Sequence, residues 1–438
     1  MRRHLIAVAA IAAFLVVGPQ TAAAANQRFI VRTGGGLNSV LRLCLSANCQ
    51  VQGALDGNVG QTYLVTSSQN LLTTLLNPVL NLLESLLGIQ SVEPDTLLSL
   101  PVVSQQSAAP GLSDTAPVNY YGTLVWSGYV NQPAAQIINL QTAQTSFQVS
   151  GTGIVADIDT GVDTTHPVLM PVLLPGYDFT RNQPGASEWL DVTGGIPASG
   201  SQNAQPVVVQ QSTAAVLDQS TAAVLDGGPY SDFGHGTMTA GLIHLAAPTA
   251  KILPLKAFSA NGTGNLSNII AALYYAVQNN ADVVNMSFDV TSTSPALSAA
   301  ISYANRAGVI LVASAGNENT SARVYPAAFN PYVMGIASTS DADTKSSFSN
   351  YGSADVWIAA PGENVVSTYP GGTYASSSGT SFSCPLVTGS VALLLDARSG
   401  ANQSRASAAL AHARQLTPNL NNGRLDVYQA VLFYLSSR

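Results

Sequence analysis

The chain has 438 residues, more than one compact core of ordinary size needs, so we expect a large domain and a smaller one. Hydrophobic residues make up 46% of the chain and charged residues only 9%, so uncharged polar side chains must cover much of the surface. The net charge is −7 and only three lysines occur, which leaves no basic stripe for nucleic acid and excludes it as a partner.

The first 25 residues have the layout of a secretory signal. Arg2 and Arg3 provide a positive start, Leu5–Val17 is an apolar run, and the alanines at 23–25 offer a cleavage site before Asn26. The alternative is a membrane anchor, but a span requires about 20 apolar residues. No later segment is long and apolar enough to cross a bilayer, so we expect an exported, monomeric protein without a stable membrane anchor.

Residues 26–105 are predicted to form a small α+β unit in front of the main domain. Strands are predicted at Arg28–Arg32, Thr62–Thr66 and Gln90–Asp95, a helix at Leu37–Leu45, and a leucine-rich helix from Leu71 to Leu87 that Pro78 interrupts. Residues 96–115 are rich in Ser, Pro, Ala and Gln, a composition typical of a linker.

The chain contains three cysteines, so at least one is unpaired. Cys44 and Cys49 are close in sequence, and an exported protein permits a disulfide between them. Two free thiols are the open alternative. Cys384 lies three residues after Ser381 and is interpreted as a small buried residue of a helix.

Residues 106–438 alternate between strand-like and helix-like runs. This alternation predicts an α/β fold with a mostly parallel central sheet covered by helices. The predicted strands are Gly153–Ile158, Lys251–Phe258, Val283–Met286 and Val309–Ala313, and the predicted helices are Gly236–Ala246, Leu266–Asn279 and Leu297–Ala307. Segment 186–228 contains the octapeptide QSTAAVLD twice, at 211–218 and 219–226, and is interpreted as a surface insertion that borders a cleft.

Three short motifs follow one another in this second part. They are Asp159-Thr160-Gly161, His235-Gly236-Thr237 and Gly379-Thr380-Ser381. Each alone is weak, but together they supply an acid, a base and a nucleophile in an order that separates one protease family from two unrelated ones. Among the five histidines, only His235 has glycine on both sides, which lets a neighbouring backbone or a substrate approach closely.

The acid and the nucleophile are predicted from their places in the elements. Asp159 ends a buried strand, where α/β sheets bind ligands, and would hold the imidazole of the base. Asp157 is a rival on the same face of the strand, and Asp163 is a weaker one. Ser381 precedes an apolar helical run, where free N–H groups favour an anion. We expect Pro385 in the first turn of this helix.

Asn317, in Ala315-Gly316-Asn317, offers an amide donor for an oxyanion, although Asn after Gly is also common in ordinary turns. The motif Asp-Thr-Gly is also the signature of aspartic proteases. Those enzymes need two carboxylates that share a proton, and no second Asp-Thr-Gly or Asp-Ser-Gly occurs in this chain.

With these motifs the chain resembles the subtilisin-like serine proteases from about residue 120 to its end. The matching segments are Gly151–Pro167, Gly234–Gly241, Val283–Ser287, Ala313–Glu318, Ser349–Gly352, Ala360–Gly362 and Gly379–Gly389. More weakly, residues 28–95 resemble the inhibitory propeptide of this family. The resemblance implies a three-layer fold and an extracellular endopeptidase, made as a zymogen that cuts itself between residues 96 and 115.

The same resemblance assigns roles to the site residues. Asp159 would orient, His235 would act as general base and then acid, Ser381 would attack, and Asn317 would stabilise the oxyanion. The substrate would lie as an extended strand between Thr263-Gly264-Asn265 and Ser287-Phe288-Asp289. No cofactor is implied for the chemistry, and calcium is common in the family although no acidic cluster marks a site.

Asp289 stands where the family usually has glycine, so it narrows the cleft or attracts a basic side chain. The sequence leaves open the cleavage preference, the processing site and the pH optimum. Two further hypotheses also remain: a binding protein that keeps the fold without turnover, and a surface protease anchored by an uncleaved signal.

Overall fold

The protein is described by a computed structural model that covers residues 26–75, 86–100, 109–192, 207–208 and 230–437. The predicted signal, Pro78 and the duplicated octapeptide lie outside the described residues.

The N-terminal part forms an antiparallel sheet with strand order β2-β3-β1-β4. Its elements are β1 (Gln27–Thr33), α1 (Gly36–Ala47), β2 (Cys49–Ala54), β3 (Thr62–Ser67), α2 (Leu71–Leu75) and β4 (Ile89–Pro94). Helix α1 buries Val40, Leu43 and Ala47, which recur at helical spacing and pack against the sheet. The predicted strands and first helix are confirmed, and Cys44 forms a disulfide with Cys49.

Strand β2 was not predicted from the sequence. Its six residues, CQVQGA, alternate between partly buried and exposed positions at the edge of the sheet. The two glutamines and the glycine are poor strand formers, so only the pairing with β3 holds this segment extended.

The larger part is built on an eight-stranded sheet with the order β10-β9-β12-β8-β14-β15-β16-β17. All neighbours from β9 to β17 pair in parallel, and β10 alone pairs antiparallel. The strands are β8 (Ile154–Asp159), β9 (Tyr177–Asp178), β10 (Gln183–Pro184), β12 (Lys251–Lys256), β14 (Val283–Met286), β15 (Ile310–Ser314), β16 (Val333–Thr339) and β17 (Ile358–Pro361).

Helices cover both faces of this sheet, which makes three layers. The helices are α3 (Ser127–Val130), α4 (Pro133–Ile137), α5 (Leu140–Phe147), α6 (His235–Ala246), α7 (Leu266–Gln278), α8 (Pro295–Arg306), α9 (Thr380–Ala397), α10 (Gln403–Leu410) and α11 (Val427–Ser436). Val283 packs into the core beneath α6 and α9, whereas its neighbour Val284 packs into the core beneath α7 and α8. A strand buried on both faces explains the unbroken apolar runs of the sequence. The predicted α/β fold is confirmed.

Smaller sheets complete the larger part. They contain the hairpin β6 (Pro117–Tyr120) and β7 (Thr123–Trp126), the trio β11 (Val207–Val208), β18 (Val365–Tyr369) and β19 (Thr373–Ser377), and the pair β5 (Leu97–Ser99) and β13 (Thr263–Asn265). Contrary to the expectation that no later segment could cross a bilayer, helix α9 is long and apolar enough to do so, but 83% of it is buried inside the protein, as in a core helix.

Three further expectations need correction. The linker prediction for 96–115 is wrong at Leu97–Ser99, because these residues pair antiparallel with β13. The surface interpretation of 186–228 is wrong at its start, because Glu188 and Trp189 are buried. Helix α9 begins at Thr380, so Pro385 lies in its second turn and not in its first.

Candidate active site

Asp159 and His235 meet where the strands of the central sheet end. Asp159 is the last residue of β8 and His235 is the first residue of α6, and Nδ1 of His235 lies 2.7 Å from Oδ1 of Asp159. Glycine makes this approach possible, because a Cβ atom at Gly236 would lie 2.0 Å from the carbonyl oxygen of Gly161. The start of the helix can therefore pack directly on the loop that follows the acid.

The Asp159 carboxylate keeps the imidazole basic. Both side chains are buried, and burial by itself disfavours the charged form of His235. The negative charge and the hydrogen bond of Asp159 outweigh burial, so the pKa of His235 is raised to about 9. With Nδ1 bound to a carboxylate, the imidazole presents Nε2 as its free proton acceptor.

Asp157, the rival acid, does not contact the imidazole. Its Oδ1 accepts a hydrogen bond from Nδ2 of Asn285 at 2.8 Å, and its Oδ2 lies 2.8 Å from the hydroxyl of Thr239. Burial raises its pKa to about 8, and the nearby charge of Asp159 adds to this effect. The third candidate, Asp163, binds the backbone N–H of Gly371 at 2.9 Å and takes no part in this cluster.

Ser381 is the second residue of α9 and is buried. Its hydroxyl donates to the carbonyl oxygen of Ser287 at 3.1 Å, and the hydroxyl of Ser287 donates to the carbonyl oxygen of Ser381 at 2.9 Å. Within a helix, the carbonyl of Ser381 would normally accept from residue 385, but proline has no N–H. Pro385 thus leaves this carbonyl open for Ser287, and the exchange joins the helix to the end of β14.

Asn317 lies in the loop after β15 and is clasped by one residue of α9. Its Oδ1 accepts from both the N–H and the hydroxyl of Thr380, each at 2.9 Å. This clasp fixes the orientation of the amide, so Nδ2 points away from Thr380. Nδ2 is buried and has no hydrogen-bond partner in the described part of the chain.

Two polar atoms beside Ser381 are therefore buried and unpaired among the described residues: Nε2 of His235, an acceptor, and Nδ2 of Asn317, a donor. The ring of Phe382, next to Ser381, packs 5.4 Å from the His235 ring between centroids and brings base and helix start together. A buried polar group without a partner destabilises a fold by about 1–3 kcal/mol. Unpaired groups of opposite type at one place indicate a site that a reacting ligand completes.

Glu188 is a site residue that sequence reasoning missed. Its carboxylate accepts from the hydroxyl of Thr160 at 2.5 Å, the N–H of Gly236 at 3.1 Å and the hydroxyl of Thr237 at 2.7 Å. It therefore ties the residue after the acid to the two residues after the base. Burial raises its pKa to about 7, although these hydrogen bonds and the charge of Lys256 oppose the shift.

Lys256 supports the same region from the other side. Its ammonium donates to the carbonyl oxygen of Thr160 at 2.6 Å and to Asp191 at 2.7 Å. One feature of the sequence could have indicated this cluster. Two carboxylates and a tryptophan, Glu188, Asp191 and Trp189, stand close together in an otherwise polar and weakly charged segment.

The predicted substrate-binding residues fall in four different environments. Thr263, Gly264 and Asn265 form β13, which pairs with the protein's own segment Leu97–Ser99. Ser287 contacts Ser381, and the side chain of Phe288 is buried in the core against Phe258. Asp289 is partly exposed and borders a cavity of about 510 Å³.

Among the described residues, no group of three or more His, Cys, Asp or Glu side chains is arranged to hold a metal ion.

Comparison with known proteins gives a consistent result. Residues 151–428 match the model of the subtilase family. Thermitase of Thermoactinomyces vulgaris is 31% identical over 309 residues, which cover 67% of this chain and 94% of thermitase. The thermophilic serine proteinase of Bacillus sp. (strain AK1) is 33% identical over 64% of this chain, but the match spans only 61% of that protein. Subtilisin BL of Lederbergia lenta is 40% identical over 37% of this chain and 62% of its own length.

Solved structures agree on the fold. Fervidolysin from Fervidobacterium pennivorans, a keratinolytic enzyme related to subtilisin, has a TM-score of 0.67, 23% identity, and coverage of 93% of this chain and 61% of its own. A cold-adapted subtilisin-like serine proteinase has a TM-score of 0.50 and 29% identity, and covers 63% of this chain and 89% of its own.

Proposed function

The chain belongs to the subtilase family of serine proteases, and on this premise we propose that it is an endopeptidase in which Asp159, His235 and Ser381 form the triad. One observation carries the proposal. The imidazole of His235 is bound by Asp159 on one nitrogen, while its other nitrogen and the amide of Asn317 are left unpaired beside Ser381. The unpaired atoms correspond to a general base and an oxyanion donor.

In the proposed reaction, the Ser381 hydroxyl turns from the Ser287 carbonyl toward His235 and gives its proton to Nε2 as Oγ attacks the peptide carbonyl. Such hydrogen bonds often form only once a substrate is bound. Nδ2 of Asn317 and the backbone N–H of Ser381 at the start of α9 stabilise the oxyanion. The C–N bond then breaks as His235 protonates the leaving amine, and water hydrolyses the acyl-enzyme by the same route.

Asp159 holds and orients the imidazolium cation through Nδ1. Every proton in this scheme moves between Ser381, His235, the substrate and water, so no cofactor is needed for the chemistry. No step passes through calcium.

The N-terminal unit is proposed to be an inhibitory propeptide. Its strand β5 lies on β13, the strand expected to bind substrate. Two of its carboxylates cap helices of the larger part: Asp95 accepts from the N–H of Ser267 at 2.8 Å, and Glu93 accepts from the N–H of Ala296 at 2.8 Å. Carboxylates are favourable at helix N-termini. The unit is thus held at the cleft until the chain cuts itself between residues 96 and 115.

We also propose that the protein is exported and acts on proteins outside the cell. The signal-like sequence at residues 1–25 supports export. The Cys44–Cys49 disulfide supports it independently, because disulfides persist in oxidising compartments.

A serine-directed phosphonate tests the proposed nucleophile. The processed wild-type protein should be labelled on Ser381, and Ser381→Ala should be neither labelled nor processed. Ser383→Ala is a matched control, because Ser383 is also a buried serine of α9 but has no proposed role. The Ser383→Ala protein should be labelled by the phosphonate and should be processed like wild type. Maturation of purified Ser381→Ala by itself, or a wild-type protein that does not label, would refute the assignment.

A further inference from the structure

Two carboxylates meet beside the oxyanion residue Asn317. A Cβ atom on Gly316 would lie 3.1 Å from Oδ2 of Asp289 and 2.7 Å from Oε2 of Glu318. Both oxygens therefore approach the same side of Gly316, and Gly316 and Glu318 flank Asn317 in sequence. Asp289 follows the end of β14, so two neighbouring strand ends bring the carboxylates together.

Only Asp289 has fewer partners than its burial requires, because Glu318 is exposed. Oε2 of Glu318 accepts from Nδ2 of Asn350 at 2.7 Å. Oδ2 of Asp289 is buried and has no hydrogen-bond partner in the described ranges, and neither group forms a salt bridge there. Burial, with a contribution from the charge of Glu318, raises the pKa of Asp289 to about 7. An unpaired buried carboxylate is stabilised by any cation that reaches it.

The space next to them is open and lacks a cation. Asp289 and Glu318 border a cavity of about 510 Å³ between Leu97–Ser99 on one side and residues 289–295 on the other. Its described lining contains no Lys or Arg. The other carboxylate of the lining, Glu93, already caps α8. The cavity lies within the size range of ligand sites, about 300–1,000 Å³.

We propose that Asp289 and Glu318 form an acidic subsite that binds a Lys or Arg side chain of the substrate. The inference rests on the proposed function, because it takes Asn317 as the oxyanion donor. The carbonyl at Asn317 belongs to the residue just before the scissile bond, and both carboxylates flank that position. The cationic side chain is therefore that of this residue. A charge-assisted hydrogen bond to Oδ2 of Asp289 supplies its missing partner.

The protein's own segment cannot fill this subsite. No Lys or Arg occurs from residue 43 to residue 180, so none lies within 96–115. Self-cleavage in that segment is intramolecular, so the segment is present at the active site at a high effective concentration. The segment can therefore be cut without a basic side chain bound in the subsite. Cleavage of other proteins has no such advantage and depends on the cation.

Paired peptides test the inference directly. Processed enzyme, normalised by phosphonate titration, would be assayed with fluorogenic peptides that differ only in Arg or its uncharged isostere citrulline before the scissile bond. At pH 8.5 we expect the Arg peptide to have at least a tenfold higher kcat/KM, since a hydrogen bond to a charged group contributes about 1.5–3 kcal/mol. The ratio should fall toward pH 6, because Asp289 then binds a proton and loses its charge.

Variants assign the effect to the two carboxylates. Asp289→Asn should lower the Arg/citrulline ratio about tenfold, mainly through KM, and the double variant with Glu318→Gln should bring the ratio near one. Asp341→Asn is the matched control: it removes one negative charge from an exposed position and should keep the ratio.

The outcomes separate the two proposals. A labelled enzyme that cleaves both peptides equally, or a ratio that survives the double variant, overturns the acidic subsite alone. A protein that neither labels nor cleaves any peptide overturns the proposed function instead. If Asp289→Asn does not fold, the Arg/citrulline ratio of the wild-type enzyme and its pH dependence still test the acidic subsite.

Discussion

The two sides of the active site differ in how completely their polar atoms are paired. On the acid–base side, at the end of β8 and the start of α6, the carboxylates of Asp159, Asp157 and Glu188 all accept hydrogen bonds. On the nucleophile side, at the start of α9 and the loop after β15, Nδ2 of Asn317 has no partner among the described residues, and the hydroxyl of Ser381 bonds only to a backbone carbonyl.

This difference indicates at which stage of the proposed reaction each side has all its hydrogen-bond partners. The carboxylates of the acid–base side have their partners once the chain folds, although Nε2 of His235 is unpaired there, and the charge and hydrogen bond of Asp159 raise the pKa of His235. The nucleophile side is complete only when a substrate supplies the oxyanion. Substitutions on the first side should therefore move the pH profile, whereas those on the second should lower kcat equally at every pH.

Asp159→Asn should give the largest effect among the substitutions that spare the nucleophile. Loss of this carboxylate favours the wrong imidazole tautomer, and in another triad enzyme the same change lowered kcat about 10⁴-fold. His235 must be neutral to accept a proton, so wild-type kcat/KM should rise with pH up to about 9, the pKa of the folded protein. Without Asp159 that pKa falls and the rising limb should move to lower pH. If the rising limb of the pH profile lies at the same pH in the variant as in wild type, Asp159 does not set the basicity of His235.

Asn317→Ala should lower kcat by about 10²–10³-fold, a range taken from an enzyme of this same family. Because Asn317 carries no proton in the mechanism, the shape of the pH profile should not change. Thr380→Val is a control that removes only the hydroxyl from the clasp on Asn317 and should have a much smaller effect. A kcat for Asn317→Ala near the wild-type value would remove this residue from the reaction.

Glu188→Gln should lower kcat about tenfold, since an amide nitrogen then faces one of the three donors and loosens the contact between acid loop and base helix. Stability gives a second readout. The folded pKa of about 7 lies above the usual 4.5, so the folded protein binds more protons in this interval, and stability falls as pH rises from 4.5 to 7. Between pH 4.5 and pH 7 the Tm of the variant should fall less than the Tm of wild type. Equal losses would show that Glu188 is not buried as a proton-binding group.

Sequence patterns point to the proposed acid, base and nucleophile for a physical reason. Asp159, His235 and Ser381 stand at the ends of strongly apolar strands and helices, so their elements are visible in the sequence. Their mutual placement follows because parallel strands end at the same edge of the sheet. The resemblance to a known family then supplied the roles.

The remaining features depend on contacts far apart in sequence. Leu97–Ser99 has a linker-like composition, and only pairing with β13 makes it a strand. Glu188 lies in a weakly patterned segment, and its partners are 28 to 49 residues away. Pairing of this kind leaves no local period or motif, so sequence patterns could not indicate it.

Asp157→Asn should have the smallest effect, although Asp157 lies only two residues from Asp159. Below its pKa of about 8 this carboxyl is protonated, so one oxygen accepts from Asn285 while the other donates to Thr239. An asparagine amide reproduces both hydrogen bonds, so kcat should change less than about threefold.

The stability of Asp157→Asn at different pH values gives a second readout. The folded pKa of Asp157 lies above its usual 3.8, so its contribution to stability is present below pH 3.8 and declines until pH 8. The variant binds no proton there and should exceed wild type in Tm at pH 8 but not at pH 4. A loss of kcat as large as that of Asp159→Asn would mean that the two carboxylates share the orienting role. The contrast between a carboxyl that binds Asn285 and Thr239 and one that binds the imidazole, two positions apart on one strand, would then be wrong.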